Sequence, residues 1–227
     1  MDGKAHSPSL RLLIAAGLAA CALACAGAAA FTQMGTIMVP IETMTAGSVP
    51  ADFAFARTGQ GGPARWVVVS DPSASGALAI EQSSTDRTDY RFPLAIYQPV
   101  SAKNVEVTLR FKPVAGKIDQ AGGIAVRVAS ANDYYVVRAN ALEDNVRFYR
   151  VTNGRREQIA GADVKVASGE WHTLGLKADN DRFTISYDGK TLYSASDGTF
   201  PDAGRVALWT KADSVTRFDR ISIQVLP

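Results

Sequence analysis

Between Gly122 and Gln158 the sequence runs as three short alternating segments separated by tight turns, a pattern that a β-meander satisfies and a helix does not. Gly123-Ile124-Ala125-Val126-Arg127-Val128 sets Ile124, Val126 and Val128 on one side. Tyr134 to Asn140 sets Tyr135, Val137 and Ala139 against Tyr134, Arg138 and Asn140. Asn145 to Val151 sets Val146 and Phe148 against Asn145, Arg147 and Tyr149. Successive side chains on a strand point to opposite faces, so the meander has an apolar face that must pack on a second sheet. Its other face is Arg, Tyr and Asn. Guanidinium forks donate to vicinal hydroxyls or carboxylates and stack on flat rings. Arg127, Tyr134, Arg138, Asn140, Asn145, Arg147 and Tyr149 are therefore candidate ligand-binding residues, and a sugar or glycoconjugate is the ligand such a face suits. The competing reading is a solvated face on which long arginine stems cover apolar surface.

The rest of the chain continues in the same manner. Strand candidates are Arg65 to Val69, Ala77 to Gln82, Tyr90 to Ile96, Val105 to Lys112, Trp171 to Ala178, Arg182 to Tyr187, Lys190 to Ala195, Arg205 to Thr210 and Val215 to Val225. Asn153-Gly154 and Asp188-Gly189 are two-residue hairpin signals, because both residues tolerate the positive φ of a type I′ turn; Asp179-Asn180-Asp181 is a third tight turn. About a dozen short strands, about ten residues apart and with no helical period, predict an all-β sandwich or barrel. With no fixed-period repeat, residues 51–227 read as one domain.

Residues 1–30 read as an export signal: Lys4 and Arg11, then the apolar run from Leu12, then small residues. Leu18-Ala19-Ala20-Cys21 resembles a lipobox, with Cys21 as the lipidated residue. Ala26-Gly27-Ala28 and Ala28-Ala29-Ala30 offer cleavage instead, and the run to Phe31 is also long enough for an uncleaved anchor. Residues 31–50, without periodicity, read as a connector. The expected location is the periplasm or cell envelope, with membrane contact only through the N-terminal segment. Both cysteines, Cys21 and Cys25, fall in that segment, so the domain itself has no thiol or disulfide. The 24 basic and 22 acidic residues nearly balance and form no basic run, which argues against a nucleic-acid partner.

The C-terminal third carries a recognisable grammar. Trp171-His172-Thr173-Leu174 leads into Phe183-Thr184-Ile185-Ser186-Tyr187-Asp188-Gly189, then Gly204-Arg205-Val206-Ala207-Leu208-Trp209, and finally Phe218-Asp219-Arg220-Ile221. This order resembles the laminin-G-like and concanavalin A-like jelly rolls, and within them the exported bacterial domains grouped with the 3-keto-disaccharide hydrolases. The resemblance implies a jelly-roll sandwich of two antiparallel sheets over roughly residues 50 to 227. It also implies either carbohydrate binding or hydrolysis of glycosidic bonds. No strand carries the Glu-x-Asp-x-x-Glu of jelly-roll glucanases, and Gln120-Ala121-Gly122-Gly123 stands where the hydrolase relatives carry Asn-Ser-Gly.

The remaining candidates are few. Trp209 alternates with Val206 and Leu208, so it should face away from the core as a stacking platform for a sugar; Trp66 and Trp171 read as structural. A hydrolase would draw its acids from Glu143, Asp144 or Asp119, since glycoside cleavage takes two carboxyl groups. Glu143 and Asp144 are also the weak candidates for a structural calcium; no other cofactor or metal is expected. His172 is the only histidine after residue 30 and occupies a strand position, which excludes a histidine-based triad or metal cluster. Three functions therefore stand: an exported carbohydrate-binding domain, a glycoside hydrolase of the 3-keto-disaccharide type, or a structural or adhesive envelope protein.

Overall fold

The computed structural model describes residues 1–4 and 35–227; the rest of the expected signal, with Cys21 and Cys25, lies outside the described residues. In chain order the strands are β1 (Thr36–Met38), β2 (Phe53–Gly59), β3 (Trp66–Ser70), β4 (Leu78–Gln82), β5 (Arg91–Ala102), β6 (Val105–Ala115), β7 (Ala121–Ser130) and β8 (Asp133–Asn140). They continue as β9 (Asn145–Thr152), β10 (Arg155–Asp163), β11 (His172–Asp179), β12 (Arg182–Tyr187), β13 (Lys190–Ser196), β14 (Gly204–Thr210) and β15 (Val215–Val225). One sheet runs β13-β12-β11-β6-β15-β4-β3, with β1 added on β15; the other runs β10-β9-β8-β7-β14-β5-β2. Every pairing is antiparallel. This is a concanavalin A-like jelly-roll sandwich, as the sequence predicted.

The inter-sheet core is the alternation made solid. Ile124, Val126, Tyr135, Val137, Ala139, Val146 and Phe148 meet Leu109, Phe111, Leu174, Leu176, Phe183, Phe218 and Ile223 from the opposite sheet. Phe183 is central, its ring 4.5 Å from Tyr135 and 4.9 Å from Phe148. The hairpins form as their residues demand: Asn153 and Gly154 take φ of 50° and 76°, and Asp188 and Gly189 take 45° and 76°.

Three features differ from the sequence reading. The expected connector belongs to the fold from Thr36 onward, since β1 pairs with Ser222 to Gln224 and Val39 and Ile41 are buried in the core. Strands β2 and β10 were not anticipated; both are sheet edges, and an edge strand exposed to water loses the alternation that reveals a strand. Third, β7 contains a bulge at Arg127, whose φ is 50° and where the pairing with β8 shifts register. Val126 points into the inter-sheet core, while Val128 joins a second cluster on the opposite face.

That second cluster arises because the seven-stranded sheet curls along its diagonal. Tyr90, just before β5, reaches the β9–β10 hairpin: its hydroxyl donates to Gly154 O (2.8 Å) and accepts from the Arg156 amide (2.9 Å). Thr58 on β2 donates to Ala131 O (2.5 Å) and bonds the Tyr134 hydroxyl (2.7 Å). Opposite corners of the sheet thereby meet, and Phe92, Leu94, Tyr134, Val136, Val151 and Trp209 fill the inside of the curl.

The other sheet carries a sealed charge ladder on its outer surface. Asp71 receives Lys112, Arg217 (3.0 Å) and the Ser73 amide (3.0 Å), and Arg217 also bonds Glu81 (2.7 Å). Burial pushes the Asp71 carboxyl up, but these donors outweigh it and hold it far below the usual carboxylate range. A depressed pKa stabilises the fold above the unfolded value of about 3.8 and loses that contribution as pH falls below it. Asp71→Asn is therefore expected to lower the urea midpoint at neutral pH and to flatten its fall below about pH 4. An unchanged acid profile in the variant would remove Asp71 from this role.

Candidate functional site

The polar half of the curled face is built on β8, β9 and the turn between them. Arg138 and Arg147 are directly opposite each other, as are Asn140 and Asn145. Two facing guanidiniums repel, and each is given its own acid. Arg138 donates to Glu143 Oε2 (2.7 Å), to Asn145 Oδ1 and to the Tyr149 hydroxyl (3.1 Å), while Arg147 pairs with Asp163 (2.6 Å). Asn145 completes the fan by donating to Glu143 (3.1 Å). Burial pushes the Glu143 carboxyl up, yet the charge of Arg138 and the bonds from Asn145 and Arg138 hold it below its ordinary value. Glu143 is thus a fixed, ionised acceptor with 42% of its side chain exposed. Arg147 crosses the backbone of Gly161, where a Cβ would lie 2.9 Å from its Nη1 and displace it.

Beneath this surface a second layer is fully committed. Asp213 accepts the amides of Lys117 (2.8 Å), Ile118 (2.9 Å) and Asp119 (3.1 Å), fixing the approach to β7. Asp119 is held by Lys211 (2.7 Å) and Asn140 (2.5 Å), and Lys211 also takes Asp89 (2.7 Å). Burial pushes Asp119 above its ordinary value despite Lys211, and the nearby Glu143 charge adds to the rise. Asn140 spends its oxygen on the amides of Leu142 (3.0 Å) and Gln120 (3.3 Å), so it shapes the turn, and its complete burial puts it out of reach of a ligand.

Of the sequence candidates, the structure brings together Arg138, Asn145, Arg147, Tyr149 and Glu143, but Arg138, Asn145 and Tyr149 are buried, so of these five only Glu143 and Arg147 reach the surface. Arg127 does not join a row of three arginines. The bulge turns it to the end of the sandwich, where it donates to Lys103 O (2.9 Å), Phe200 O (2.8 Å) and Asn180 O and is buried over Tyr135 and Phe183. Tyr134 and Trp209 lie on the expected face but are wholly buried by the curl, so neither is an exposed plate: Trp209 stacks on Phe92 at 5.3 Å and donates to the Tyr134 hydroxyl at 3.3 Å. Asp144, at φ 48°, turns away from Glu143 to Lys165 (2.8 Å) and the Val166 amide (3.1 Å), which removes the adjacent acid pair. No cluster of three or more His, Cys, Asp or Glu residues suited to a metal ion occurs among the described residues. His172 bonds Asp188 (3.0 Å) and Ala167 O (3.0 Å) inside the fold.

Sequence reasoning missed Arg156. Its guanidinium lies 4.4 Å from the Tyr149 ring and 4.8 Å from the Phe92 ring, bridging the two sides of the curl. Arg155-Arg156 beside an Asn-Gly turn was the available signal, but without β10 as a strand there was no face to assign it to.

No family model matches the sequence, and no curated protein matches it. Solved structures do match in fold. The carbohydrate binding module CBM66 from Bacillus subtilis is 20% identical with a TM-score of 0.58, over 75% of this chain and 94% of that one. A Bacillus licheniformis β-glucanase is 12% identical with a TM-score of 0.55, over 85% and 99%. A protein of unknown function with a galectin-like fold, also from B. subtilis, is 10% identical with a TM-score of 0.54, over 76% and 89%.

Proposed function

We propose that this protein is an exported carbohydrate-binding domain whose site is the polar half of the curled sheet. The observation that carries the reading is Glu143, fixed as an ionised acceptor by Arg138 and Asn145 on the same hairpin as the Arg147 donor. A saccharide presents adjacent hydroxyls that are both donors and acceptors. A preset carboxylate and guanidinium meet both needs without the entropic cost of ordering loose side chains. The similarity in fold to a carbohydrate binding module supports the same reading. Export and attachment through Cys21 belong to the proposal as the sequence pattern suggests them.

Binding is favoured over glycoside hydrolysis by the disposition of the acids. Asp144 faces Lys165, and Asp119 is 1% exposed beneath Lys211, so of these three acids Glu143 alone meets the ligand surface. Hydrolysis takes two carboxyl groups flanking the bond.

The test is a titration of the purified protein with a panel of oligosaccharides, including 3-keto disaccharides, followed by ligand-observed NMR over hours. Arg147→Ala and Glu143→Gln are expected to weaken binding about tenfold each; Glu143→Gln should also lower the unfolding midpoint, since it leaves the buried Arg138 without its acid, whereas Arg147→Ala relieves the facing guanidinium and should change the midpoint less. Because Glu143 is depressed, affinity should hold as pH falls to its ordinary 4.5 and decline only below that. Product peaks growing with time would replace this reading by a hydrolase. No saccharide response at all would leave the adhesive envelope role.

A further inference from the structure

His172 is 7% exposed at the start of β11, its ring stacked on Tyr187 (5.3 Å) and tilted against Phe111 (5.7 Å). Nδ1 stands 3.0 Å from an oxygen of the Asp188 carboxylate, and Nε2 stands 3.0 Å from the carbonyl oxygen of Ala167. Both of these oxygens can only accept. A neutral imidazole has one N–H, so in either tautomer one ring nitrogen turns a lone pair toward an oxygen lone pair. The imidazolium carries an N–H on each side and satisfies both contacts at once.

The surrounding groups are already committed. Asp188 uses its other oxygen to accept the Thr173 amide (2.7 Å), which aims the carboxylate at the ring. Three carboxylates, Asp188, Asp144 and Glu170, act on the stacked Tyr187: burial and then their charges push its phenol up, so it stays neutral and donates to Lys165 O (3.3 Å). Lys165 spends its ammonium on Asp144 (2.8 Å), and Lys112, next to Phe111, pairs with Asp71 in the outer charge ladder.

Ala167 lies in the connection between β10 and β11. Three other bonds tie that connection down: the Val166 amide to Asp144 (3.1 Å), the Ser168 hydroxyl to Gln120 (2.6 Å) and the Gly169 amide to Pro113 O (2.7 Å). Among these ties the His172 bond is the one whose donor comes and goes near neutral pH. We infer that His172 is a pH-operated latch: the imidazolium holds Ala167 and Asp188 together, and the neutral ring keeps its one proton for the charged acceptor and releases Ala167. The latch is closed at acid pH and opens as the ring loses its proton. It does not depend on the saccharide reading.

The experiment follows amide exchange of the full chain by NMR from about pH 5 to pH 8, the range in which histidine ordinarily changes charge, with rates corrected for the intrinsic effect of pH. The protection of Gly169 is expected to fall about tenfold across that range, the size of one charge-assisted bond, while protection in β8 and β9 stays level. His172→Gln cannot titrate there and should abolish the step. Because that ring is buried against Phe111 and Tyr187, Asp188→Asn, at a half-exposed turn position, is the second variant. It weakens the charged acceptor and should move the step to lower pH. Level protection of Gly169 in the parent protein overturns the inference, as does a step that survives in His172→Gln or stays in place in Asp188→Asn.

Discussion

Arg127→Ala is expected to lower the free energy of unfolding by about 3–5 kcal/mol and to leave saccharide affinity unchanged. The arginine is 2% exposed and donates to three backbone carbonyls, Lys103 O, Phe200 O and Asn180 O, which come from three separate connections at one end of the sandwich. Truncation leaves those oxygens facing a void, and charge-assisted bonds of this kind contribute about 1.5–3 kcal/mol each before water partly refills the space. The guanidinium also lies 5.3 Å over Phe183 and 5.9 Å over Tyr135, so it closes the end of the core. Arg127→Met separates the two contributions: it retains most of the packing and should recover only a minor part of the loss. Urea unfolding and a sugar titration on the same preparations decide the matter. Lost affinity with an unchanged midpoint would return Arg127 to the ligand face and contradict the bulge.

Why the sequence placed Arg127 with Arg138 and Arg147 is clear from the backbone. Period-two alternation assigns faces correctly as long as the strand is regular, and β8 and β9 are regular from Tyr134 to Asn140 and from Asn145 to Val151. At Arg127 the backbone enters the left-handed region and the alternation restarts out of phase. The residue that makes room for this is Gly204, far along the chain, where a Cβ would lie 2.7 Å from the Arg127 Cα. No window of local sequence contains both. The all-β layering was legible because core alternation and hairpin turns are local properties, and the choice of a jelly-roll sandwich came from the resemblance carried by the motifs between Trp171 and Ile221. The curl of the seven-stranded sheet was not, because it depends on Tyr90 meeting Gly154 across it. That Arg138, Asn145, Arg147 and Tyr149 share one face was legible because they lie within one regular hairpin; that three of them are buried there was not. The role of Arg156 was hidden because an edge strand with polar residues on both faces has no period to read.

The same long-range closure makes Trp209 the second residue whose removal should be severe. Trp209→Ala is expected to cost about 3–5 kcal/mol, the range for emptying an aromatic site in a packed core. The ring is 0% exposed, stacks on Phe92 at an interplanar angle of 21°, and donates through Nε1 to the Tyr134 hydroxyl, which in turn bonds Thr58. Phe92 and Tyr134 are two of the groups that hold the opposite corners of the sheet together, so the void would loosen the contact of Tyr90 with the hairpin as well as the cluster itself. Amide exchange at Gly154 and Arg156 should therefore accelerate in the variant more than exchange in β11 or β6, which belong to the other sheet. Trp209→Phe keeps the stack and removes the N–H donor, and should cost only about 1 kcal/mol. An exposed sugar platform makes the opposite forecast: Trp209→Ala would retain its stability and lose its ligand. Loss of stability as large as stated here, with residual sugar binding in whatever fraction stays folded, assigns the ring to the fold. It removes Trp209 from the proposed ligand surface.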